Sequence, residues 1–225
     1  MIKNIVECAN EKNINKLIHL SSAVVVGSQP NDNIEEGVSC NPQTQYQKDK
    51  LDIETVLLEK ELNFNLTILR PTAVFGMGGK NLATTIGSVK INNPFIDKLK
   101  IIILGNRHMH LVAVENVTRA IDFFINNSPE QQKEIFFISQ DHDPFNNYRD
   151  IYSELSKTIN NTDYSSIGRY AISKYLLILL FRILGKRHEE VFCYYSSNKL
   201  NSRGLYFDHN LKKAIRNYAL KNKYN

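Results

Sequence analysis

Apolar positions recur along this chain in two rhythms, one helical and one of short unbroken runs. Between residues 2 and 13, Ile5, Val6, Cys8 and Ala9 follow helical spacing and predict an amphipathic helix ending before Asn13. Lys16-Leu-Ile-His-Leu-Ser-Ser22 is a short apolar run that closes on two hydroxyl residues, and it reads as a buried strand. Residues 27–45 are polar and rich in Asn, Gln, Ser, Pro and Gly, a long loop of the kind that usually has a task. From Gln45 to Leu62 the spacing of Leu51, Val56, Leu57, Leu58 and Leu62 predicts a helix. Leu66-Thr-Ile-Leu69 reads as a second buried strand, stopped by Arg70-Pro71.

Helix, strand, loop, helix and strand thus alternate, the order of βαβ units in a parallel sheet. After Gly76-Met-Gly-Gly79 the texture changes. Ile101-Ile-Ile-Leu104 and Ile135-Phe-Phe-Ile138 read as short strands, and residues 115–126, 147–160, 170–184 and 208–219 as helices. The predicted class is α/β, with a loose boundary that divides residues 1–76 from a second lobe, 77–225, partly interleaved with the first.

Composition narrows the picture. With 225 residues, 42% hydrophobic and 23% charged, the chain can bury a sizeable core and is not of a disordered type. The net charge of +5 is scattered, and Lys186-Arg187 and Lys212-Lys213 are its only basic doublets. That gives no track for a nucleic-acid backbone, while a small anionic ligand fits the excess. Cys8, Cys40 and Cys193 have no metal-ligand spacing and no even-numbered framework, which points to a reducing, cytoplasmic setting and no metal. The start, Met1-Ile-Lys-Asn4, leads into a polar helix pattern without a signal peptide. The apolar run Tyr175–Phe181 is too short to cross a bilayer, which needs about 20 residues. It reads as a buried helix, with a membrane-surface role as the minor alternative.

The chemistry concentrates in two places: Ser21-Ser22-Ala23 at a strand end, and Tyr46-Gln-Lys-Asp-Lys50 entering a helix. Tyr and Lys four apart share one helix face, and an ammonium beside a phenol favours the phenolate. Such a phenol can exchange a proton with a carbinol or carbonyl oxygen that a serine hydroxyl holds. The spacing alone carries no weight, because Tyr-x-x-x-Lys also occurs at Tyr170/Lys174 and Tyr195/Lys199. Context separates the first pair: it alone follows a strand ending in Ser-Ser-Ala and precedes a strand ending in Arg-Pro.

With these residues in place, the chain resembles the extended short-chain dehydrogenases/reductases, the NAD-dependent epimerase/dehydratase group acting on nucleotide sugars. Asn4–Ala9 and Lys16–Gly27 are similar to the family's approach to its catalytic serine, here Ser22. Pro42–Glu54 resembles its Tyr-Lys helix, Leu69–Gly76 the strand and turn under the nicotinamide, and Leu111–Ile121 a strand-to-helix step of the substrate lobe. Four motifs in order span residues 4–121; the remainder matches in texture.

The resemblance implies a Rossmann-like sheet with a small α/β substrate lobe, NAD or NADP as cofactor and a nucleotide sugar as substrate. It makes Tyr46 the acid/base, Lys50 the residue that holds the nicotinamide ribose and tunes Tyr46, and Ser22 the holder of the reacting oxygen. Pro71, Thr72 and Ala73 would touch the cofactor, and Phe75, Gly76 and Asn81 would meet substrate. Arg107, beside the Gly105-Asn106 turn, is a candidate diphosphate partner because a guanidinium matches phosphate geometry, while its spacing to Val114-Glu115-Asn116 departs from the family pattern. It also implies a homodimer formed through the helix bearing Tyr46. The chain departs from the pattern at Ala73, where many members have Asn, and at Val26, where many have Tyr. No Thr-Asp-Glu type acid pair accompanies Tyr46, which leaves epimerase or ketoreductase chemistry on a nucleotide- or lipid-linked sugar.

None of the ten glycines forms the Gly-x-x-Gly-x-x-Gly turn whose N–H groups cradle a pyrophosphate. The expectation is therefore a chain that carries only the later part of the sheet, binds NAD(P) weakly or not at all, and exposes an apolar edge. A non-catalytic remnant that binds or scaffolds a partner is the alternative.

Overall fold

The computed structural model describes residues 2–29, 32–170, 172–183, 193–207 and 210–223, apart from the side chains of 168–170, 174 and 181. The Lys186-Arg187 doublet and positions 171, 184 and 208, at the margins of two predicted helices, lie outside the described residues. In chain order the elements begin with α1 (Ile2–Glu11), β1 (Lys16–Leu20), a 3₁₀ turn (Ala23–Val26), β2 (Asn33–Ile34) and α2 (Gln45–Glu59). There follow β3 (Asn65–Pro71), β4 (Ala73–Phe75), α3 (Ala83–Ile91), α4 (Pro94–Leu104), β5 (Leu111–Ala113) and α5 (Val114–Asn126). The chain continues with β6 (Lys133–Ile138), α6 (Tyr148–Asn160), a second 3₁₀ turn (Ser165–Tyr170) and α7 (Lys174–Ile183). It closes with β7 (Tyr194–Tyr195), α8 (Asn198–Ser202) and α9 (Leu211–Asn222). The class is α/β, and the chain divides into two compact units.

The first unit holds residues 1–72, 116–139 and 195–206. Its sheet is parallel, in the order β1-β3-β6, with Leu17 opposite Leu66 and Leu69 opposite Phe136. Central β3 is buried from Leu66 to Pro71, as a strand covered on both faces must be. Leu66 and Ile68 pack with Val6 of α1 and Leu57 of α2. On the opposite face Phe136 meets Phe124 of α5, ring centroids 4.7 Å apart. Helices thus cover both faces of the three strands.

β1 corrects one expectation. It was read as buried, yet its residues are only partly covered and Leu20 is 42% exposed, because among the described residues β1 pairs with β3 alone. It is an edge strand.

The second unit holds residues 73–115, 140–194 and 207–225. Here β4 pairs in parallel with β5, Ala73 opposite Leu111. Phe75, Leu82, Ile101, Tyr152, Leu155, Leu211 and Ile215 fill its core. A second correction falls here: residues 101–104, read as a strand, are the last turn of α4. The β-branched run suggested a strand, but Asn93 caps the helix by accepting from the Ile96 amide, and Pro94 at the first helical position is pre-set for it. A third concerns α7, which was read as buried: Leu177 is fully covered, while Tyr175, Leu176 and Leu179 are exposed. No helix among the described residues is long and apolar enough to cross a membrane.

Candidate active site

The end of β1 is set by its neighbour. The Ser21 amide donates to the Leu69 carbonyl at 2.8 Å, continuing the ladder one residue past the strand. Ser22 then leaves the sheet with extended backbone (φ −156°, ψ 145°), partly exposed, and the chain enters the 3₁₀ turn. That turn closes at Gly27, whose φ is +62° and where a Cβ would lie 1.8 Å from the Asn41 carbonyl oxygen, so only glycine fits. The Asn41 amide donates to Val26 O at 2.8 Å, and Gln29 Nε2 donates to Val26 O at 2.6 Å and Ser39 O at 2.9 Å. These bonds fold the loop before α2 back onto the turn after Ser22.

α2 starts with a reciprocal cap. Thr44 Oγ1 accepts from the Gln47 amide at 3.2 Å, and Gln47 Oε1 accepts from the amides of Thr44 at 3.0 Å and Gln43 at 2.7 Å. This fixes the first helical turn, which carries Tyr46, 56% exposed. Lys50 follows one turn on, partly covered, and Glu54 one turn further, fully buried. Lys50 and Glu54 both act on His19 of β1, whose pKa is lowered by burial and then by the Lys50 charge, with Glu54 opposing. α2 packs against the 3₁₀ turn that follows Ser22.

The remaining expected residues divide by unit. Pro71 ends β3 opposite Ile138, and Thr72 donates from its amide to Ile138 O at 3.1 Å; both belong to the first unit. Ala73, Phe75, Gly76, Asn81 and Arg107 belong to the second. The Ala73 amide donates to His110 O at 2.8 Å. Phe75 is 2% exposed and meets Tyr218 edge-on at 5.9 Å. A Cβ on Gly76 would reach within 2.4 Å of Val114 Cγ1. Asn81 Nδ2 donates to Val74 O at 2.5 Å. Arg107 is exposed, and its positive charge partly offsets the burial and Asp97 charge that push the Tyr148 phenol up to about 12. Phe75 and Gly76 border a cavity of about 770 Å³ in the second unit, together with Met77, Glu115, Lys213 and Lys221.

The rival Tyr-x-x-x-Lys spacings fare differently. Tyr195 is buried, and Lys199 is committed to Ile135 O at 2.9 Å and to the Phe136 ring. The side chains of the Tyr170/Lys174 pair lie outside the described residues. Sequence reasoning missed two buried arrangements. Arg70 clasps Glu54 and also donates to Cys40 Sγ at 3.7 Å. His110 Nδ1 lies 2.6 Å from Asp141 Oδ2. Glu54 alone was signalled, as the next residue on the face that carries Tyr46 and Lys50; its partner Arg70 was not. Among the described residues no group of three or more His, Cys, Asp or Glu side chains could hold a metal ion.

As donors, a phenol, an ammonium and a hydroxyl suit the nicotinamide-ribose end of a dinucleotide. Its pyrophosphate end finds no glycine-rich cradle in this sequence.

Known proteins place this architecture. WbmH of Bordetella bronchiseptica, in complex with NAD⁺, superposes with a TM-score of 0.71 at 13% identity, over 99% of this chain and 67% of that one. The UDP-glucuronic acid 4-epimerase of Bacillus cereus, in complex with NAD, gives 0.71 at 15% identity, over 97% and 63%. The UDP-N-acetylglucosamine 4-epimerase of Methanobrevibacter ruminantium M1, in complex with UDP-N-acetylmuramic acid, gives 0.63 at 13%, over 99% and 67%. At such identities the likeness is one of fold, and this chain spans about two thirds of the length of these structures. A search of curated proteins gives no significant match. The family model for NAD dependent epimerases/dehydratases matches residues 1–139, more than half of the sequence. This chain belongs to the NAD dependent epimerase/dehydratase family.

Proposed function

We propose that this chain carries the proton-transfer machinery of an NAD(P)-dependent epimerase or ketoreductase for a nucleotide-linked sugar. The observation that supports it most is the α2 start, where a capped turn presents Tyr46 exposed above Lys50, with the same helix packed on the turn after Ser22. In this reading the bound nicotinamide supplies hydride acceptance and return. The Tyr46 oxygen, once without its proton, takes the proton of the sugar hydroxyl as hydride leaves the same carbon, and gives it back when hydride returns. Lys50, one helical turn from Tyr46, donates from Nζ to the ribose hydroxyls. Ser22 Oγ donates to the reacting oxygen. Pro71 and Thr72, at the C-terminal end of β3, would border the cofactor; in the second unit Gly76, Asn81 and Arg107 would serve substrate recognition. Cys8, Cys40 and Cys193 form no disulfide among the described residues, in keeping with the reducing, cytoplasmic setting of this reading, to which self-association through α2 also belongs.

The reading also holds that this chain by itself binds NAD(P) weakly and turns over slowly or not at all, since no pyrophosphate cradle is present in it. The second reading, a non-catalytic binding or scaffolding partner, is favoured by one observation: the open edge of β1. Fluorescence titration with NADH tests the pair. Weak binding that Tyr46→Phe leaves unchanged and Lys50→Ala weakens further supports the first reading. Micromolar binding overturns the claim of a crippled cofactor site, and binding indifferent to Lys50→Ala overturns the assignment of Lys50.

A further inference from the structure

The second unit carries an apolar surface that its own core does not use. On α7, Tyr175 is 83%, Leu176 51%, Leu179 52% and Ile183 73% exposed. At 100° per residue these four fall within roughly 100° of one another around the axis, one continuous stripe. α4 repeats the device: Phe95 is 78%, Ile96 43% and Leu99 47% exposed, while Asp97 and Ile101 on its other side are buried. The helices are neighbours, because Leu177 of α7 packs with Ile103 and Leu104 of α4, and the Ile172 amide donates to Ile102 O at 2.9 Å. Ile91, the last residue of α3, adds another side chain 77% exposed just before α4.

The exposed charge on these two helices has one sign. From residue 80 to 107 the sequence has five cations and a single acid, Asp97, which is buried beneath the hydroxyls of Tyr152 and Tyr164. α7 itself carries Lys174 and Arg182 and no acid. Lys90, Lys98 and Arg182 are exposed on the helices themselves. The apolar run that begins at Tyr175 ends before Gly185-Lys186-Arg187, about ten residues against the roughly 20 that crossing a bilayer needs, so the device lies on a membrane rather than through it.

We propose that the α4–α7 face of the second unit docks on the surface of an anionic phospholipid bilayer, with the apolar stripes in the acyl boundary and the lysines and arginines among the headgroups. A second copy of the chain suits the surface less well. Two-fold pairing would set this cationic rim against itself, whereas an anionic surface neutralises it. The proposal does not rest on the roles given to Tyr46 or Lys50.

The test is co-sedimentation of the full chain with vesicles of phosphatidylcholine plus phosphatidylglycerol, and of phosphatidylcholine alone. Binding to the anionic vesicles that falls with added salt is expected. The doubly substituted Phe95→Asp/Tyr175→Asp chain should bind about tenfold more weakly, with circular dichroism unchanged because both side chains are exposed. Lys90→Glu/Lys98→Glu should lose the preference for anionic lipid while keeping the apolar stripes. Absence of vesicle binding, or binding that neither pair of substitutions alters, overturns the proposal. So does a dimer in light scattering that Phe95→Asp/Tyr175→Asp dissociates without any vesicle binding, which would make the face a contact between copies.

Discussion

Arg70 holds Glu54 in a buried fork, Nε 3.1 and 3.2 Å from the two carboxylate oxygens and Nη2 2.5 Å from one of them, with side chains 4% and 0% exposed. The pair ties the middle of α2 to the C-terminal half of β3. Removing one member strands the other's charge away from water, so Glu54→Ala should cost about 3–5 kcal/mol, read from urea denaturation. Replacing both, as in Glu54→Leu/Arg70→Met, should cost much less than the sum of the single changes. An additive cost would show that the two do not act as a unit.

Gly27 should tolerate no side chain. Gly27→Ala would force a left-handed backbone on alanine and drive its Cβ into Asn41. A loss of more than about 1 kcal/mol is expected in thermal unfolding. Limited proteolysis should find new cuts in residues 32–44, because the turn and that loop are fastened together.

Tyr152 donates to Asp97 at 2.5 Å and Tyr164 donates to the other carboxylate oxygen at 3.3 Å, in the core of the second unit. Burial and the Asp97 hydrogen bond and charge push the Tyr152 phenol far above its ordinary value. Tyr152→Phe therefore removes a neutral donor from a buried carboxylate and should destabilise by about 1–3 kcal/mol. Asp97→Asn, which keeps both phenol hydroxyls a partner, should cost less than Asp97→Ala.

His110 gives stability a pH dependence. Burial lowers its pKa, but hydrogen bonds with Asp141 and Cys193, together with the Asp141 charge, outweigh it and raise the value to about 10. A folded-state value above the ordinary 6.5 means that the imidazolium stabilises fully below about pH 6.5, and that this contribution drains away as pH climbs towards 10. Unfolding free energies from urea titrations at about pH 6, 8 and 9.5 should fall in that order, by on the order of a few kcal/mol across the range. Asp141→Asn should flatten the slope; an unchanged slope would assign the dependence to other groups.

Much of the fold was legible because its signals are local. α1, α2, β3 and β6 follow from runs of apolar residues with the right period, and the start of α2 at Gln45 from its pattern. The same locality explains the misreadings. Ile101-Ile-Ile-Leu104 has strand propensity, and only the Asn93-Pro94 cap eight residues earlier shows that it belongs to a helix already under way. The short apolar run of α7 looked like core because hydrophobicity does not reveal whether a partner exists to cover it. At the candidate site, the helical spacing of Tyr46 and Lys50 could be read from sequence. Glu54–Arg70, 16 residues apart, and His110–Asp141, 31 apart, could not, because nothing local announces a pairing made through the tertiary fold.

One feature of β1 reaches beyond its own unit. With Ser21 bonded inward to Leu69, alternation along the strand turns the amides of Ile18 and Leu20 outward, where water alone competes for them among the described residues. Those two amides should trade hydrogen for deuterium quickly beside a slow-exchanging β3. The same row sets a ceiling on how concentrated this chain can be kept in solution, since each molecule offers the next a ready template for zippering.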